Sequence, residues 1–235
     1  MPTTPLQQPS CLSARGRLTR GIRLGLPIFL GYMPVGAAFG ILARSWGFSP
    51  LQAVTCSATA LAGAGQFFGL SLMRAGADVA SVLIATTVVN LRYVLFGATL
   101  SPHVKSAPLA GQAALAFSVT DETFAVNMTD LRQGTGDPWS MAGVGAIAWT
   151  GWVLGTALGV FGTGLIGDPY RFGVEFAMPA MFTALLVAQA EDKRHVIIGI
   201  MAAVLTIVCA LVLPGKWYII AAAVGAATVG TVVYR

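Results

Sequence analysis

Seven apolar stretches, each close to 20 residues long, follow one another along this chain: roughly 22 to 43, 51 to 73, 78 to 101, 139 to 166, 172 to 190, 195 to 213 and 216 to 233. That is the length a helix needs to cross hydrocarbon. A water-soluble domain of 235 residues has too little interior to bury so many such runs. The balance of residues agrees, with 56% hydrophobic, only 10% charged and a mean hydropathy of +0.76. The expected fold is therefore all-α, a polytopic bundle of membrane-spanning helices. The 28 glycines lie inside apolar runs, where they suit close helix packing in lipid rather than flexible linkers.

An eighth piece, 107 to 131, is less apolar and is interrupted by Thr120-Asp121-Glu122. Orientation bears on whether it crosses. Cationic residues gather on the cytoplasmic side. With the N-terminus inside and this piece crossing, nine Lys and Arg residues fall inside and four outside, with Arg92 in the membrane. If it does not cross, the division becomes seven to six. The rule favours eight spans with both termini in the cytoplasm, at the cell inner membrane. A re-entrant hairpin and seven spans is the other arrangement such a broken, acidic segment allows.

Residues 1–18, rich in Pro, Thr and Gln at their start, read as a disordered cytoplasmic tail ahead of a membrane domain over 19–235. The apolar run that follows is too long for a signal-peptide core. Arg15, Arg17, Arg20 and Arg23 just before it are a topology signal, and no run of basic residues points to nucleic acid. Cys11, Cys56 and Cys209 have neither disulfide nor zinc spacing. His103 and His195 stand at segment ends, and no phosphate-binding glycine loop with its lysine is present. No cofactor is implied.

The residues that carry chemistry are the charges within apolar segments: Arg92, Asp121, Glu122 and Glu175. Such groups are costly in hydrocarbon and are normally kept for a pathway. Ionised, they sum to minus two, so Arg92 can neutralise one acid and two remain without a fixed partner. Those are candidate proton carriers. The plainer alternative is an ion pair between Arg92 and Asp121 or Glu122 that fixes helix register. Asn90 and Arg92 point to nearly opposite faces of a regular helix, so either one is structural or the helix breaks between them. Thr120, Thr123 and Asn127 recur at spacings of three and four and give their segment a polar stripe.

Gly63, Gly65 and Gln66 weaken the second apolar segment, where an unwound stretch would offer backbone groups to a zwitterionic ligand. The same residues suit a close helix contact with Gln66 as an interhelical hydrogen-bonding group. Pro27, Pro34 and Pro179 fall inside spans and kink helices wherever they occur there. An internal echo also runs along the chain: Gly36-x-x-x-Gly40 and Gly47-Phe48-Ser49-Pro50 against Gly155-x-x-x-Gly159 and Gly167-Asp168-Pro169. A true repeat with discontinuous helices would place a substrate site between its halves.

Taken in order, Gly25-Leu26-Pro27, Pro34-Val35-Gly36-Ala37-Ala38-Phe39-Gly40, Ala62-Gly63-Ala64-Gly65-Gln66-Phe67, Asn90-Leu91-Arg92-Tyr93-Val94-Leu95-Phe96-Gly97 and Thr120-Asp121-Glu122-Thr123-Phe124-Ala125 resemble the AzlC family. These are branched-chain amino acid permeases, the large subunit of the LIV-E type of exporter. The resemblance runs from about residue 18 onward. Phe172 to Ala177 resembles a family block that more often has Asp where Glu175 stands. It implies export of leucine, isoleucine and valine, sometimes methionine, driven by the proton gradient or membrane potential, together with a small AzlD-type membrane partner. The substrate-binding candidates are Arg92, Gln66, Asn90, Gly63, Gly65, Phe67, Thr120 and Phe124. Asp121, Glu122 and Glu175 are the proton-coupling candidates. Phe68 and Phe96 add to the apolar pocket a branched side chain needs, Arg92 would meet the substrate carboxylate, and Asp121 or Glu122 its ammonium group. A channel subunit and a membrane-embedded enzyme acting on lipid are the alternatives from other classes.

Overall fold

A computed structural model describes residues 12–166 and 193–212, with scattered positions between and beyond them. The described residues form helices and no strands: α1 (Ala14–Ser45), α2 (Pro50–Thr59), α3 (Gly63–Arg74), α4 (Val79–Asn90), α5 (Arg92–Val104), α6 (Leu109–Phe117), α7 (Asp121–Arg132), α8 (Pro138–Ile166) and α9 (Lys193–Val212). Residues 14–18, read from the sequence as tail, already belong to α1, whose N-cap is Ser13. Two compact units are present: Met1–Gly63 with Leu91–Val174, and Ala64–Asn90 with Glu175–Arg235.

The count of seven or eight spans is not what the described residues display. Two helices, α1 and α8, are long and apolar enough to cross a membrane, or three if α4 and α5 are taken as one broken span. Hydropathy averaged over a window does not register a break, and three of the expected spans are broken. The second apolar stretch stops at Ala60, which is extended, and restarts at Gly63. The third is interrupted at Leu91. The piece 107 to 131 ends one helix at Phe117 and begins another at Asp121 under the cap of Thr120. The stretches 172 to 190 and 216 to 233 lie outside the described residues, apart from scattered positions.

Within the first unit, α1 and α8 run parallel and touch through glycine along their lengths. Gly21 meets Ser140, Gly25 meets Val144, Gly36 meets Trp152 and Gly155, and Gly40 meets Thr156 and Val160. From the other side, Gly143 faces Leu18, Gly151 faces Phe29, Gly155 faces Met33 and Gly159 faces Ala37. An added Cβ at Gly36 would lie 2.8 Å from the Trp152 carbonyl oxygen, and one at Gly155 2.5 Å from that of Met33. In lipid, where apolar side chains gain little by leaving the bilayer, this close backbone approach is the main source of helix affinity. The two small-residue motifs that echo each other in the sequence thus pack on each other.

Pro27 and Pro34 remain inside α1. Proline cannot donate to the ladder, so the carbonyls of Arg23 and Leu30 lose their usual partners. α2 docks on α8 through a buried Ser57–Thr156 hydroxyl bond of 2.8 Å and through the Trp149 indole N–H, which donates to the Ala58 carbonyl at 2.9 Å.

One end of this unit is closed by a polar clasp. Arg20 donates through both Nη atoms to the Asp130 carboxylate, at 2.8 Å for Nη1 to Oδ2, and also to the Thr135 hydroxyl at 3.0 Å. Asp130 further accepts from Thr135 Oγ1 at 2.7 Å and from Ser140 Oγ at 3.1 Å. The turn between α7 and α8 passes through Gly134, whose φ of +73° suits glycine. The Asp130 side chain is 6% exposed and that of Arg20 30%. Replacing Asp130 with alanine removes the counter-ion of Arg20 and leaves the guanidinium with Thr135, while the Thr135 and Ser140 hydroxyls keep the Asp130 and Asp137 carbonyls. Breaking such a pair costs up to 3–5 kcal/mol when fully buried, and roughly 2 kcal/mol here, where Arg20 is partly solvated. Asp130→Ala is expected to lower the apparent Tm in detergent by several degrees. An unchanged melting curve would show that the clasp does not hold these helices.

Candidate functional site

The polar site of the first unit is built at the start of α7. Thr120 is extended and caps the helix reciprocally with Thr123: the Thr123 N–H donates to Thr120 Oγ1 at 3.3 Å, and the Thr120 N–H to Thr123 Oγ1 at 2.8 Å. This satisfies donors that a helix start leaves open. It also places Asp121 and Glu122 in the first turn, where the helix dipole favours negative charge. The polar stripe Thr120, Thr123 and Asn127 is buried and is extended by Asp130.

Each acid has its own partner. Asp121 Oδ2 lies 3.0 Å from Arg92 Nη2, with the two side chains 15% and 25% exposed. Arg92 stands at the first position of α5, directly after the break at Leu91, and its guanidinium carbon is 5.4 Å from the centre of the Tyr93 ring. Its Nε is buried and has no hydrogen-bond partner among the described residues. Glu122 Oε2 accepts from the Tyr32 hydroxyl at 2.5 Å, and the same hydroxyl is 2.8 Å from Thr120 Oγ1. The sequence left open which acid Arg92 would meet. It is Asp121.

Aromatic side chains surround these groups. Tyr32 meets Trp152 edge to face at 5.4 Å between centroids, and Trp152 stacks on Phe39 at 6.3 Å. A Cβ on Gly63 would lie 2.8 Å from the Trp152 ring. Phe124 stacks on Phe96 at 4.3 Å, with Tyr93 beside Phe96 at 6.1 Å. Arg92, Asp121, Glu122, Thr120, Phe124 and Gly63 therefore belong to this unit, together with Tyr32, Tyr93 and Trp152.

The remaining candidates belong to the second unit. Gly65, Gln66 and Phe67 are buried in the first turns of α3 rather than unwound, because the break falls just before them, at Ala60 to Ala62. Gly65 is where α3 approaches Asn90: an added Cβ would lie 2.6 Å from the Asn90 amide nitrogen. Asn90 Oδ1 is buried with no partner among the described residues. Glu175 lies outside the described residues.

Sequence reasoning passed over Tyr32 and Asp130. A buried tyrosine hydroxyl requires a partner, and Tyr32 in the middle of an apolar run was the available signal. Asp130 sits inside the 107 to 131 piece and was a further charge to count there. A cavity of about 690 Å³ opens elsewhere in the first unit, lined by residues of α6 and α8 that include Leu115, Phe117, Trp139 and Trp149. None of the candidate site residues lines it. Among the described residues no cluster of metal-ligating side chains is found.

Comparison with known proteins identifies the family of the chain. The family model described as AzlC protein matches residues 27–166, which contain every one of these groups except Glu175. The inner membrane protein YgaZ of Escherichia coli K12 is 34% identical over 198 residues, covering 81% of this chain and 80% of the relative. A membrane protein of Archaeoglobus fulgidus is 32% identical over 187 residues, 79% of this chain and 81% of the relative. The branched-chain amino acid transport protein AzlC of Bacillus subtilis is 27% identical over 175 residues, 72% of this chain and 67% of the relative. No solved structure matches the chain. With the family model spanning more than half of its length, the chain is a membrane protein that belongs to the AzlC family.

Proposed function

We propose that this protein exports branched-chain amino acids, leucine, isoleucine and valine with methionine as a further substrate, as a secondary transporter coupled to the proton gradient or membrane potential. It does so as the large subunit beside a small AzlD-type partner. The observation that carries the reading is the Arg92–Asp121 pair at two helix breaks, 3.0 Å apart and only partly exposed, with Glu122 beside it on Tyr32. A zwitterionic amino acid can enter such a pair by exchange of partners, its carboxylate taking Arg92 and its ammonium group taking Asp121. No charge is left alone in hydrocarbon at any stage, which is the costly event. Phe96 and Phe124 supply apolar contact for the side chain. Hydrophobic discrimination is worth only about 1–3 kcal/mol per methylene, so several aliphatic side chains pass. The kinship to the Bacillus subtilis transport protein supports the substrate class.

The clasp also favours residues 107 to 131 crossing the membrane. Arg20 near the start of α1 and Asp130 at the end of α7 are in contact, so Arg132 and the basic residues before the first span share one side. α8 then starts from that side, parallel to α1. Both fit eight spans with cytoplasmic termini.

Counterflow tests transport against a pore. Vesicles holding the chain with its partner and preloaded with unlabelled leucine are expected to draw labelled leucine transiently above its outside level. A channel gives no overshoot, and its absence would refute the transporter reading.

A further inference from the structure

Two acids stand side by side at the start of α7, and their surroundings differ in kind. Asp121 is committed to Arg92. Glu122 faces a hydroxyl with two acceptors in reach, at 2.5 Å and 2.8 Å. The hydrogen bonds around that hydroxyl can be assigned one by one. Thr123 Oγ1 lies 2.8 Å from the Ser118 carbonyl and donates to it. It therefore accepts from the Thr120 N–H at 2.8 Å and from Thr120 Oγ1 at 3.3 Å. Thr120 Oγ1, its own hydrogen so directed, accepts from the Thr123 N–H and keeps a lone pair for Tyr32. A tyrosine hydroxyl carries one hydrogen, so it serves one acceptor at a time.

We infer that Glu122 is the residue that binds the transported proton, and that Tyr32 is its positioning residue, a two-state hydrogen-bond rotor that keeps Glu122 Oε2 hydrogen-bonded whether Glu122 is charged or neutral. This rests on the transport reading above. With Glu122 ionised, Tyr32 donates to Oε2, the stronger charge-assisted bond. When a proton arrives from water on one side of the membrane, it bonds to Oε2. The neutral acid then donates to the Tyr32 oxygen, and Tyr32 turns its hydrogen to Thr120 Oγ1. Release on the other side reverses both turns. In both states the Tyr32 hydroxyl and Glu122 Oε2 stay bonded to each other, which lowers the cost of keeping them in low dielectric.

Among the described residues, the groups facing this proton come from four helices. α1 brings Tyr32, α5 brings Arg92 and Tyr93, α7 brings Asp121, and α8 brings Trp152 against Tyr32, which does not titrate. Asp121 has no such rotor. Protonating it would release Arg92 without a counter-ion, so its natural competitor is the substrate. Tyr32 lies between Pro27 and Pro34 on α1.

The test does not depend on the substrate. Infrared difference spectra of the chain with its partner in membranes, recorded between two pH values, show the C=O stretch of any buried carboxyl that gains a proton. The expected result is a band that is lost in Glu122→Gln, persists in Asp121→Asn and changes frequency in Tyr32→Phe. A band lost only in Asp121→Asn, or no carboxyl band at all, overturns the assignment. A flux measurement separates positioning from mere structure. The ratio of proton-driven leucine accumulation to leucine exchange is expected to fall at least tenfold in Tyr32→Phe, with no further fall when Tyr32→Phe is added to Glu122→Gln. A purely structural tyrosine lowers both fluxes together and leaves the ratio unchanged. If leucine moves in neither assay while the Glu122 band is present, the substrate assignment falls and the proton site stands.

Discussion

Replacing Arg92 with alanine is expected to reduce leucine efflux at least 100-fold at normal expression. The substitution acts twice at one point. It removes the cation that a substrate carboxylate would meet, and it leaves Asp121, 15% exposed, without its counter-ion. Truncating one member of a buried charged pair costs about 2–5 kcal/mol, and each 1.4 kcal/mol is tenfold in an equilibrium. Arg92→Lys keeps the charge but loses the planar fork that can serve Asp121 and a carboxylate together, so an intermediate loss near tenfold is expected. Near-normal efflux from Arg92→Ala would remove the arginine from the pathway. Equal loss in both variants would show that geometry rather than charge is what the site requires. The companion double variant, Asp121→Asn with Glu122→Gln, is expected to abolish proton-driven efflux.

A second large effect is expected from packing alone. Gly159→Val pushes a branched side chain into the Ala37 carbonyl of α1, a backbone atom that cannot rotate away. Overpacking commonly costs 1–3 kcal/mol and more where backbone must move, so roughly a tenfold loss of folded protein is a conservative expectation. Gly31→Val on α1 is the control, because among the described residues nothing lies within 4 Å of the position its Cβ would occupy. Recovery from gel filtration in mild detergent reads the difference. Equal yields of the two variants would contradict the account of α1 and α8 as a pair held by close backbone contact.

These two sites were legible from the sequence to different degrees, for reasons that are physical. The charge clusters were visible because ionised groups are rare in hydrocarbon, and the incompatible faces of Asn90 and Arg92 left a break between them as one of two readings, the one seen at Leu91. Thr120 read only as part of a polar stripe with Thr123 and Asn127, and its role as the cap that starts α7 came from the structure. Tyr32 was not legible in this way. One tyrosine in an apolar run has no period, and only the fold shows that it reaches Glu122, 90 positions away. The motifs at Gly36 and Gly155 indicated that some backbone comes close, without saying that each is the other's neighbour. Arg20 read as a topology marker because its partner lies 110 positions along the chain. The number of spans suffered from the averaging that makes hydropathy useful: a window of 20 residues spreads over the breaks at Ala60 to Ala62, Leu91 and Ser118 to Thr120, which are the features that position the site.

The broken helices also account for the economy of charge. Backbone groups freed at Thr120 are satisfied by side chains of the same turn, and those of α5 begin beside Arg92. Irregular backbone at membrane depth is tolerated where it is buried or lines a watered cavity. The start of α7 meets that condition through the burial of Thr120 and Thr123.

The most direct test of the central claim is efflux of preloaded leucine from cells lacking their own exporters, expressing this chain with and without a small AzlD-type partner, beside the Arg92→Ala variant. The account predicts rapid leucine loss with both subunits present, and background loss when either the partner or Arg92 is missing. Leucine retained by cells that express both proteins well, or lost equally fast with Arg92→Ala, would contradict it.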